Sequence, residues 1–166
     1  MIQLRFTSNK TYDESFLAVC DAKIREFYEF YCSKKQGRKM PCRQDFDPME
    51  MKEFLPSITL VDVDEATGDY RYRLVGTKEV EIRGNDPTGK TVREAFYGAL
   101  LEEVEENYNY VCDSKSFIYD HNNESEDQAQ VLYDETLFLP LSHDDDKVNI
   151  VLLFSVQQFK SRRTSF

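Results

Sequence analysis

The sequence predicts an α+β domain built on a five-stranded antiparallel sheet. Five segments alternate apolar and other side chains with the period of two that marks a strand. Short turns join most consecutive strands, which favours antiparallel pairing. The remaining helical segments gather between the second and third strands, so we expect them to cover one face of the sheet. The predicted strands are 58–63, 70–75, 116–121, 130–141 and 148–156.

Length and charge limit the classes of protein to consider. A chain of 166 residues predicts one domain, and such a chain can bury about 70% of its unfolded surface. The net charge of −10 argues against a nucleic-acid partner and against docking on an anionic membrane. The first ten residues lack the apolar stretch of a signal peptide, and Ile150–Phe154 is too short to span a bilayer. We therefore expect a soluble, cytoplasmic protein.

The cysteines indicate neither a metal site nor a disulfide framework. Cys20, Cys32, Cys42 and Cys112 include no pair at C-x-x-C spacing, and the chain has only two histidines. We predict no bound metal and expect four reduced thiols.

A helix is predicted ahead of the sheet. Residues 1–10 read as a loose arm or a short edge strand, and Thr11 with Glu14 has the pattern of a capping box for a helix to Lys35. Apolar residues follow at steps of three and four, with further aromatics beside them. This stripe predicts either packing on the domain itself or pairing with a second copy. The second interpretation gives a dimer contact at Phe16, Cys20, Ile24, Phe27, Tyr28 and Tyr31.

Composition divides the chain into three parts. Residues 1–40 hold the arm and the amphipathic helix, 41–160 the sheet domain, and 161–166 a basic tail. A basic run between Lys34 and Arg43 interrupts this acidic protein. It is typical of a solvated cluster at the C-terminal end of a helix, and a site for an acidic partner is the alternative.

The central segment 69–90 combines a strand, a short helix and two turns. Its alternation places Tyr70, Tyr72 and Leu74 on one face of the strand and the intervening residues on the other. Gly76 ends the strand and Thr77 can cap the following helix, which Gly84 is placed to close.

This segment and its surroundings resemble a family of small bacterial stand-alone PAS domains over about residues 40–157. The resemblance implies a five-stranded antiparallel sheet with helices over one face, and a sensing or signalling role. It also implies that a ligand would lie between the inner sheet face and the central helices. The residues that carry the resemblance are Pro41, Arg43, Asp45, Asp47-Pro48, Met51, Leu55-Pro56, the run 72–77 (YRLVGT), Gly84, Asp86, Thr88, Gly89, the run 137–142 (LFLPLS) and the apolar run 148–156.

Aromatic side chains dominate the predicted inner face. Several buried tyrosine hydroxyls converging on one space could orient a small organic ligand, whereas the alternative is that the rings simply fill the core. The predicted ligand-binding residues are Tyr72, Leu74, Phe96, Tyr97, Tyr108, Phe117, Tyr119 and Tyr133.

The sequence disfavours the better-known PAS cofactors and leaves any cofactor unknown. A haem sensor usually needs an axial histidine, but His121 falls at a predicted strand end and His143 in a turn. A light-sensing flavin domain needs a cysteine early in the central helices, and none occurs between Cys42 and Cys112.

Three functions are compatible with these features of the sequence. The first is a regulatory module that binds a small organic ligand and signals through dimer or partner contacts. The second is a ligand-free, homodimerising interaction module that contacts a signalling protein. The third is a small pocket enzyme, although the chain lacks the usual catalytic motifs and its inner faces offer only His121 and Glu135. We therefore predict that the protein is not an enzyme.

Overall fold

A six-stranded antiparallel sheet organises the described residues of this computed structural model, which are 7–95, 101–123 and 133–158. The strands are β1 (Thr7–Thr11), β2 (Ile58–Val63), β3 (Tyr70–Val75), β4 (Ile118–Asn123), β5 (Tyr133–Leu141) and β6 (Ile150–Gln158). The α-helices are α1 (Ala22–Ser33), α2 (Thr77–Arg83) and α3 (Leu101–Ser114), and short 3₁₀ turns occupy Glu14–Ala18, Arg43–Asp45 and Leu55–Ser57.

The strand order confirms the predicted α+β architecture and adds one strand to it. Neighbours run β1-β4-β5-β6-β2-β3, and every pair is antiparallel. The additional strand is β1, so residues 7–11 form the short edge strand that was one of the two interpretations of this segment. Strand β6 lies between β5 and β2, which agrees with its apolar residues on both faces.

The predicted helix from Thr11 to Lys35 is wrong in its first half. Thr11 belongs to β1, so its capping box with Glu14 does not form. Asp13 instead accepts a hydrogen bond from the Ser15 amide at 3.0 Å and begins a 3₁₀ turn. Asp21 then accepts from the Lys23 amide at 2.8 Å and begins α1. Two aspartate caps, eight residues apart in sequence, therefore start two separate elements.

Helices cover both faces of the sheet, whereas one face was predicted. The face beneath α1 is here called the α1 face, and the face beneath α3 is called the α3 face. Strands β5 and β6 carry apolar residues toward both, with Leu137 and Phe154 toward α1 and Phe138 and Val151 toward α3. A sheet that is apolar on both faces must be covered on both, and α1 provides the second layer.

A bulge in β3 moves Leu74 to the other face from Tyr72. The register pairs Leu60 with Leu74 but Val61 with Tyr72, so β3 has one extra residue, Arg73, at this point. Because one extra residue reverses the side-chain alternation, Leu74 packs toward α1 while Tyr72 packs toward α3. The prediction that Tyr72 and Leu74 share a face is wrong for this reason.

Glycines set the geometry at both ends of α2. A Cβ at Gly76 would lie 2.3 Å from the Pro56 carbonyl oxygen, so only glycine fits this close backbone approach. Gly84 closes the helix in the left-handed conformation at φ 80°, as predicted. Gly76, not Thr77, is the N-cap residue of α2.

Two cations of the basic run are paired with carboxylates where α1 ends. Arg38 donates to the carbonyl oxygens of Lys34 and Lys35 at 3.1 and 3.0 Å, and it pairs with Asp45 at 2.5 Å. Lys34 pairs with Glu50 at 2.5 Å. These contacts match the predicted cluster at the C-terminal end of a helix.

Candidate functional site

The α1 face is filled by aromatic rings. Phe27 stacks on Phe154 with ring centroids 4.3 Å apart, and Phe16 stacks on Tyr119 at 4.9 Å. Phe54 meets the Phe27 ring edge-on at 5.1 Å. All of these rings except Phe54 are at most 2% exposed. This face is a packed core.

A buried carboxylate fastens α1 to this face. Glu135 is 0% exposed, and its carboxylate accepts a hydrogen bond from the Asp21 backbone amide at 2.9 Å. The Tyr119 hydroxyl donates to the same carboxylate. Since Asp21 is the N-cap residue of α1, the negative charge lies at the positive end of the helix dipole. These contacts give Glu135 a structural explanation.

The stripe predicted as a dimer contact lies inside the chain. Phe16, Ile24, Phe27, Tyr28 and Tyr31 are at most 4% exposed against the α1 face, and Cys20 is half-buried beside them. The exposed side of α1 carries Lys23, Arg25, Glu26 and Glu29 instead. The stripe has no free surface because the α1 face requires an apolar cover. A homodimer stays a prediction, and it would need other surfaces.

The predicted ligand-binding residues fall on different faces. Tyr72 and Tyr108 meet on the α3 face, where both are buried. Leu74, Phe117 and Tyr119 pack on the α1 face instead. The prediction mixed the two faces because it assumed a single covered face. Phe96, Tyr97 and the side chain of Tyr133 lie outside the described residues.

The α3 face is divided along its strands into an apolar and a polar half. In the apolar half, Ile118, Phe138 and Val151 pack beneath Tyr108 and Val111 of α3. Two residues further along each strand on the same face, the side chains become polar. Strand alternation and register place Asp120, Thr136 and Ser155 side by side on β4, β5 and β6. These three residues are here called the polar row.

The polar row is buried and partly hydrogen-bonded within itself. Asp120 is 8% exposed and Ser155 is 7% exposed. The hydroxyl oxygens of Thr136 and Ser155 are 3.0 Å apart, and Thr136 donates to Asp134 at 3.1 Å. Strands about 5 Å apart bring such side chains into one continuous surface. The row therefore presents a carboxylate and two hydroxyls beneath the helical layer.

A second polar group joins α2 to the same face. Arg83 donates to the Tyr72 hydroxyl at 3.0 Å, and its guanidinium lies 4.8 Å from the centre of that ring. Its Nη1 donates to the Ala95 carbonyl oxygen at 3.2 Å. Glu79 lies 4.0 Å from the guanidinium and accepts from Gln157 at 2.8 Å. Helix α2 is thus tied to both β3 and β6 by polar contacts.

Tyr108 lies where the apolar and polar groups of this face meet. Its side chain is 1% exposed, and it packs against Tyr70 with ring centroids 4.9 Å apart. Burial raises the pKa of Tyr108, and the neighbouring Tyr72 raises it further, so the phenol stays neutral. Asn107, beside it on α3, is 4% exposed. A neutral phenol and a buried amide are groups that orient a polar ligand.

A small surface pocket opens at the far edge of the α3 face. It has a volume of ≈ 180 Å³ and lies between the turn at 67–70, the segment 91–93 and α3. The Tyr70 hydroxyl donates to Asn109 on its wall, and Arg93 pairs with Glu105 at 2.6 Å. It is smaller than the roughly 300–1,000 Å³ of typical small-molecule sites.

The polar row and the Arg83 group were not predicted from the sequence. Asp120 stands two residues after Ile118, Thr136 two before Phe138 and Ser155 two after Leu153, so each occupies the α3-facing position of its strand. A polar residue at an inward-facing position of each strand could therefore have indicated the polar row. Recognising the row also required the register among the three strands.

The histidines and acids considered for other chemistry lie elsewhere. His121 is opposite Glu135 in the register of β4 and β5, and both belong to the α1 face rather than to the polar row. His143 is exposed in the turn before β6. Among the described residues, no cluster of three or more histidine, cysteine or acidic side chains is arranged to hold a metal ion.

The acidic turn at 144–146 has a structural role. Asp145, at φ 60°, accepts from the backbone amides of Met40 and Lys39 at 3.0 and 3.3 Å. Asp144 accepts from the amides of Asp146 and Lys147, both at 2.9 Å. These bonds hold the pKa of Asp144 down at about 2. The turn anchors the segment that follows α1.

An antiparallel sheet with helices over both faces defines the α+β class of this domain. The particular family follows from comparison: residues 20–154 match the PAS domain family, and the chain belongs to it. PAS domains act as sensory or regulatory modules and commonly mediate protein interactions or dimerise. Sensing, rather than catalysis, is their usual role.

One solved structure that the comparison matches to this chain is that of an RNA-binding light-oxygen-voltage receptor. The two chains are 10% identical, with a TM-score of 0.48. The match covers 93% of this chain and 39% of the receptor chain, so this chain spans well under half of that protein. Comparison with curated proteins found no match. Within the described residues, no helix combines the length and apolar character needed to cross a bilayer.

Proposed function

We propose that this PAS domain is a regulatory module that binds a small organic ligand on the α3 face, over the polar row. The observation that carries the proposal is the burial of Asp120 and Ser155, which the strand register places on either side of Thr136 on the α3 face. Ligand binding there would be read out through contacts with a partner protein or a second copy. The net charge of −10 supports a role that involves no binding to nucleic acids or membranes. A cytoplasmic location stays a prediction.

Burial energetics supports a ligand role for the row. Polar side chains removed from water cost free energy that apolar side chains at the same positions would avoid. The α1 face shows that alternative on the same strands, because Leu137 and Phe154 are the sequence neighbours of Thr136 and Ser155. Polar residues on one side of a strand and apolar residues on the other indicate different uses of the two faces.

The contacts of α2 offer a route for the signal. Arg83 joins α2 to Tyr72, and Glu79 joins it to Gln157, which lies two residues beyond Ser155 on β6. A ligand over the row would compete with or strengthen these bonds. Because the outer side of α2 exposes Lys78 and Glu81, a shift of this helix would change a surface that a partner can contact.

Native mass spectrometry of protein purified from its expression host, supplemented with a cell metabolite extract, tests the proposal. We expect a bound small molecule that denaturation releases. The double variant Thr136→Val, Ser155→Ala should lose it. Thr77→Val, the same change at an exposed threonine, should retain it. Equal retention by the double variant would place the molecule elsewhere and contradict the proposal, as would unliganded protein after extract treatment.

A ligand-free homodimerising interaction module is the second candidate. Exposed apolar side chains favour it: Met49 is 80% exposed, Val19 69% and Tyr12 48%. Such side chains are a usual component of protein contact surfaces. Sedimentation at micromolar concentration should then show a dimer that Val19→Asp or Met49→Asp weakens. A wild-type monomer would contradict the homodimer.

A further inference from the structure

We propose that the outer edge of β1 binds an extended segment of a partner protein that carries arginine or lysine side chains. The segment would add a strand to the sheet, and its cations would lie against exposed aromatic and acidic side chains beside that edge. This inference goes beyond the proposed function, since it concerns a different surface and requires no ligand over the polar row.

The two edges of the sheet differ in what covers them. The outer edge of β3 is closed by the segment 89–92. The Tyr72 amide donates to the Lys90 carbonyl oxygen at 3.0 Å, and the Val92 amide donates to β3 at 2.8 Å. At the opposite edge, no strand in the described parts of the chain lies beyond β1. Because alternate residues of an edge strand direct their amide and carbonyl groups outward, β1 offers hydrogen-bonding groups to an added strand.

The strand β1 is regular along its whole length. Its five residues pair one for one with β4, from Thr7 opposite Asn123 to Thr11 opposite Tyr119, without a bulge. The strand also contains no proline. Bulges and prolines are common features that prevent an edge strand from pairing with another chain. A regular edge of this length suits a small, transient contact with a partner segment.

An exposed aromatic pair lies at the end of this edge. Tyr12 follows β1 directly, is 48% exposed, and has its ring centroid 4.7 Å from that of Tyr110 on α3. On the helix surface, Glu106 and Asp113 are the i−4 and i+3 neighbours of Tyr110, and both are exposed. Asp13, next to Tyr12 in sequence, is exposed as well. Aromatic rings and carboxylates both attract arginine and lysine side chains.

The charge balance around the aromatic pair selects a basic partner. Across the described residues of β1, β4, α3 and 12–21, Lys10 is the one lysine or arginine, and the register places it opposite Asp120. Lys115, just beyond α3, pairs with Asp146 at 2.8 Å. Even when Lys10 is counted in full, the three carboxylates around the aromatic pair outnumber it. The surface therefore attracts a basic segment and repels an acidic one.

Three synthetic peptides of about seven residues, a usual strand length, test the inference. The first alternates threonine and arginine, and the second has glutamate in place of arginine. The third is the arginine peptide with methylated backbone nitrogens, which keeps the charge but cannot donate the hydrogen bonds of a strand. Each is titrated into isotope-labelled protein while backbone amide resonances are recorded. We expect the arginine peptide to produce saturable shifts at residues 9–12, the methylated peptide to bind at least about tenfold more weakly, and the glutamate peptide not to bind.

Paired variants test the acidic side chains. The double variant Glu106→Gln, Asp113→Asn removes two exposed carboxylates beside Tyr110 and should weaken binding of the arginine peptide about three- to tenfold, since exposed ion pairs each contribute modestly. The double variant Glu26→Gln, Glu29→Gln removes the same charge from the exposed side of α1, on the other face of the sheet, and should leave the affinity unchanged.

Several outcomes would overturn the inference. These are no binding of the arginine peptide, shifts confined to another surface, equal binding of the methylated or glutamate peptide, and equal affinity in the two double variants. Concentration-dependent shifts of the β1 resonances without any peptide, together with no peptide binding, would assign the edge to a second copy instead. None of these results bears on the proposed function, because a small molecule lost in the Thr136→Val, Ser155→Ala variant would support that function whatever the peptides show.

Discussion

The α1 face and the α3 face are built from the same strands but differ in chemistry. On β5, Leu137 joins the aromatic core under α1, while its neighbour Thr136 belongs to the polar row under α3. On β6, Phe154 stacks on Phe27 and its neighbour Ser155 completes the row. One side of the sheet is therefore suited to stability, and the other combines stability with groups that can bind a ligand.

The two faces also differ in the surroundings of their buried carboxylates. Glu135 on the α1 face accepts hydrogen bonds from the N-terminus of α1 and from the Tyr119 hydroxyl, so its charge stabilises the fold. Asp120 on the α3 face lies between Lys10 of β1 and Thr136 of β5 in the strand register, not at a helix end. The comparison teaches that a buried charge indicates binding only after its structural role has been examined.

The largest expected effect is Phe27→Ala on the α1 face. Phe27 is 0% exposed and contacts the rings of Phe54 and Phe154, so removing it should lower the free energy of unfolding by about 3–5 kcal/mol. Urea denaturation measures the change. Glu26→Ala, at the exposed neighbouring position, should change stability by no more than about 0.5 kcal/mol. A loss under about 1 kcal/mol for Phe27→Ala would show that this face is not the main core.

Glu135→Ala should have the next largest effect. It removes the acceptor of the Asp21 amide and of the Tyr119 hydroxyl, and leaving buried donors without partners should cost about 2 kcal/mol or more. The same denaturation experiment measures it, with the exposed Glu29→Ala on α1 as the control. Unchanged stability would mean that Glu135 does not fasten α1 to the sheet.

The double variant Thr136→Val, Ser155→Ala should change the free energy of unfolding by less than about 1 kcal/mol. Both partners of the bond between the two hydroxyls become apolar, a change that is often nearly neutral for stability, and the bond from Thr136 to Asp134 is lost at a part-buried contact. Leu137→Ala, on the opposite face of β5, should cost about 2–5 kcal/mol because Leu137 is 0% exposed. A loss as large as that of Leu137→Ala would make the polar row a structural requirement and erase the distinction between the faces.

The smallest effect concerns two cysteines, one against each core. Burial raises the pKa of Cys112, beside the α3-face core, to about 11, and it also raises the pKa of Cys20 beside the α1 face. The thiol of Cys112 therefore stays neutral in the folded protein until the pH nears 11. Any stabilisation from this shift is fully present below the ordinary thiol pKa of 9.0 and is lost as the pH rises from there toward 11.

Alkylation with iodoacetamide at pH 8, mapped by mass spectrometry, measures the difference. A pKa of about 11 rather than 9.0 lowers the thiolate population about 100-fold, so folded Cys112 should react far more slowly than in urea. Cys20 should show a smaller protection on folding. Equal rates for folded and unfolded Cys112 would indicate that its side of α3 opens freely.

Much of the fold could be predicted from local patterns. The alternation in 148–156 placed apolar residues on both faces of β6 and predicted its central position, because side-chain direction along a strand depends only on sequence spacing. Gly84 was predicted to close α2, since few other residues adopt φ 80° without strain. The family resemblance over 40–157 was confirmed by the match over 20–154.

The sequence by itself determined five of the strands, the family and the end of α2 at Gly84, because each depends on residues close together in the chain. Only the tertiary structure decided which face each aromatic meets. Leu74 changed face through a bulge that exists only in the pairing of β2 with β3, and the stripe of α1 found its partner on a sheet assembled from distant segments. The polar row likewise joins residues up to 35 positions apart, from Asp120 to Ser155, and strand register alone brings them together.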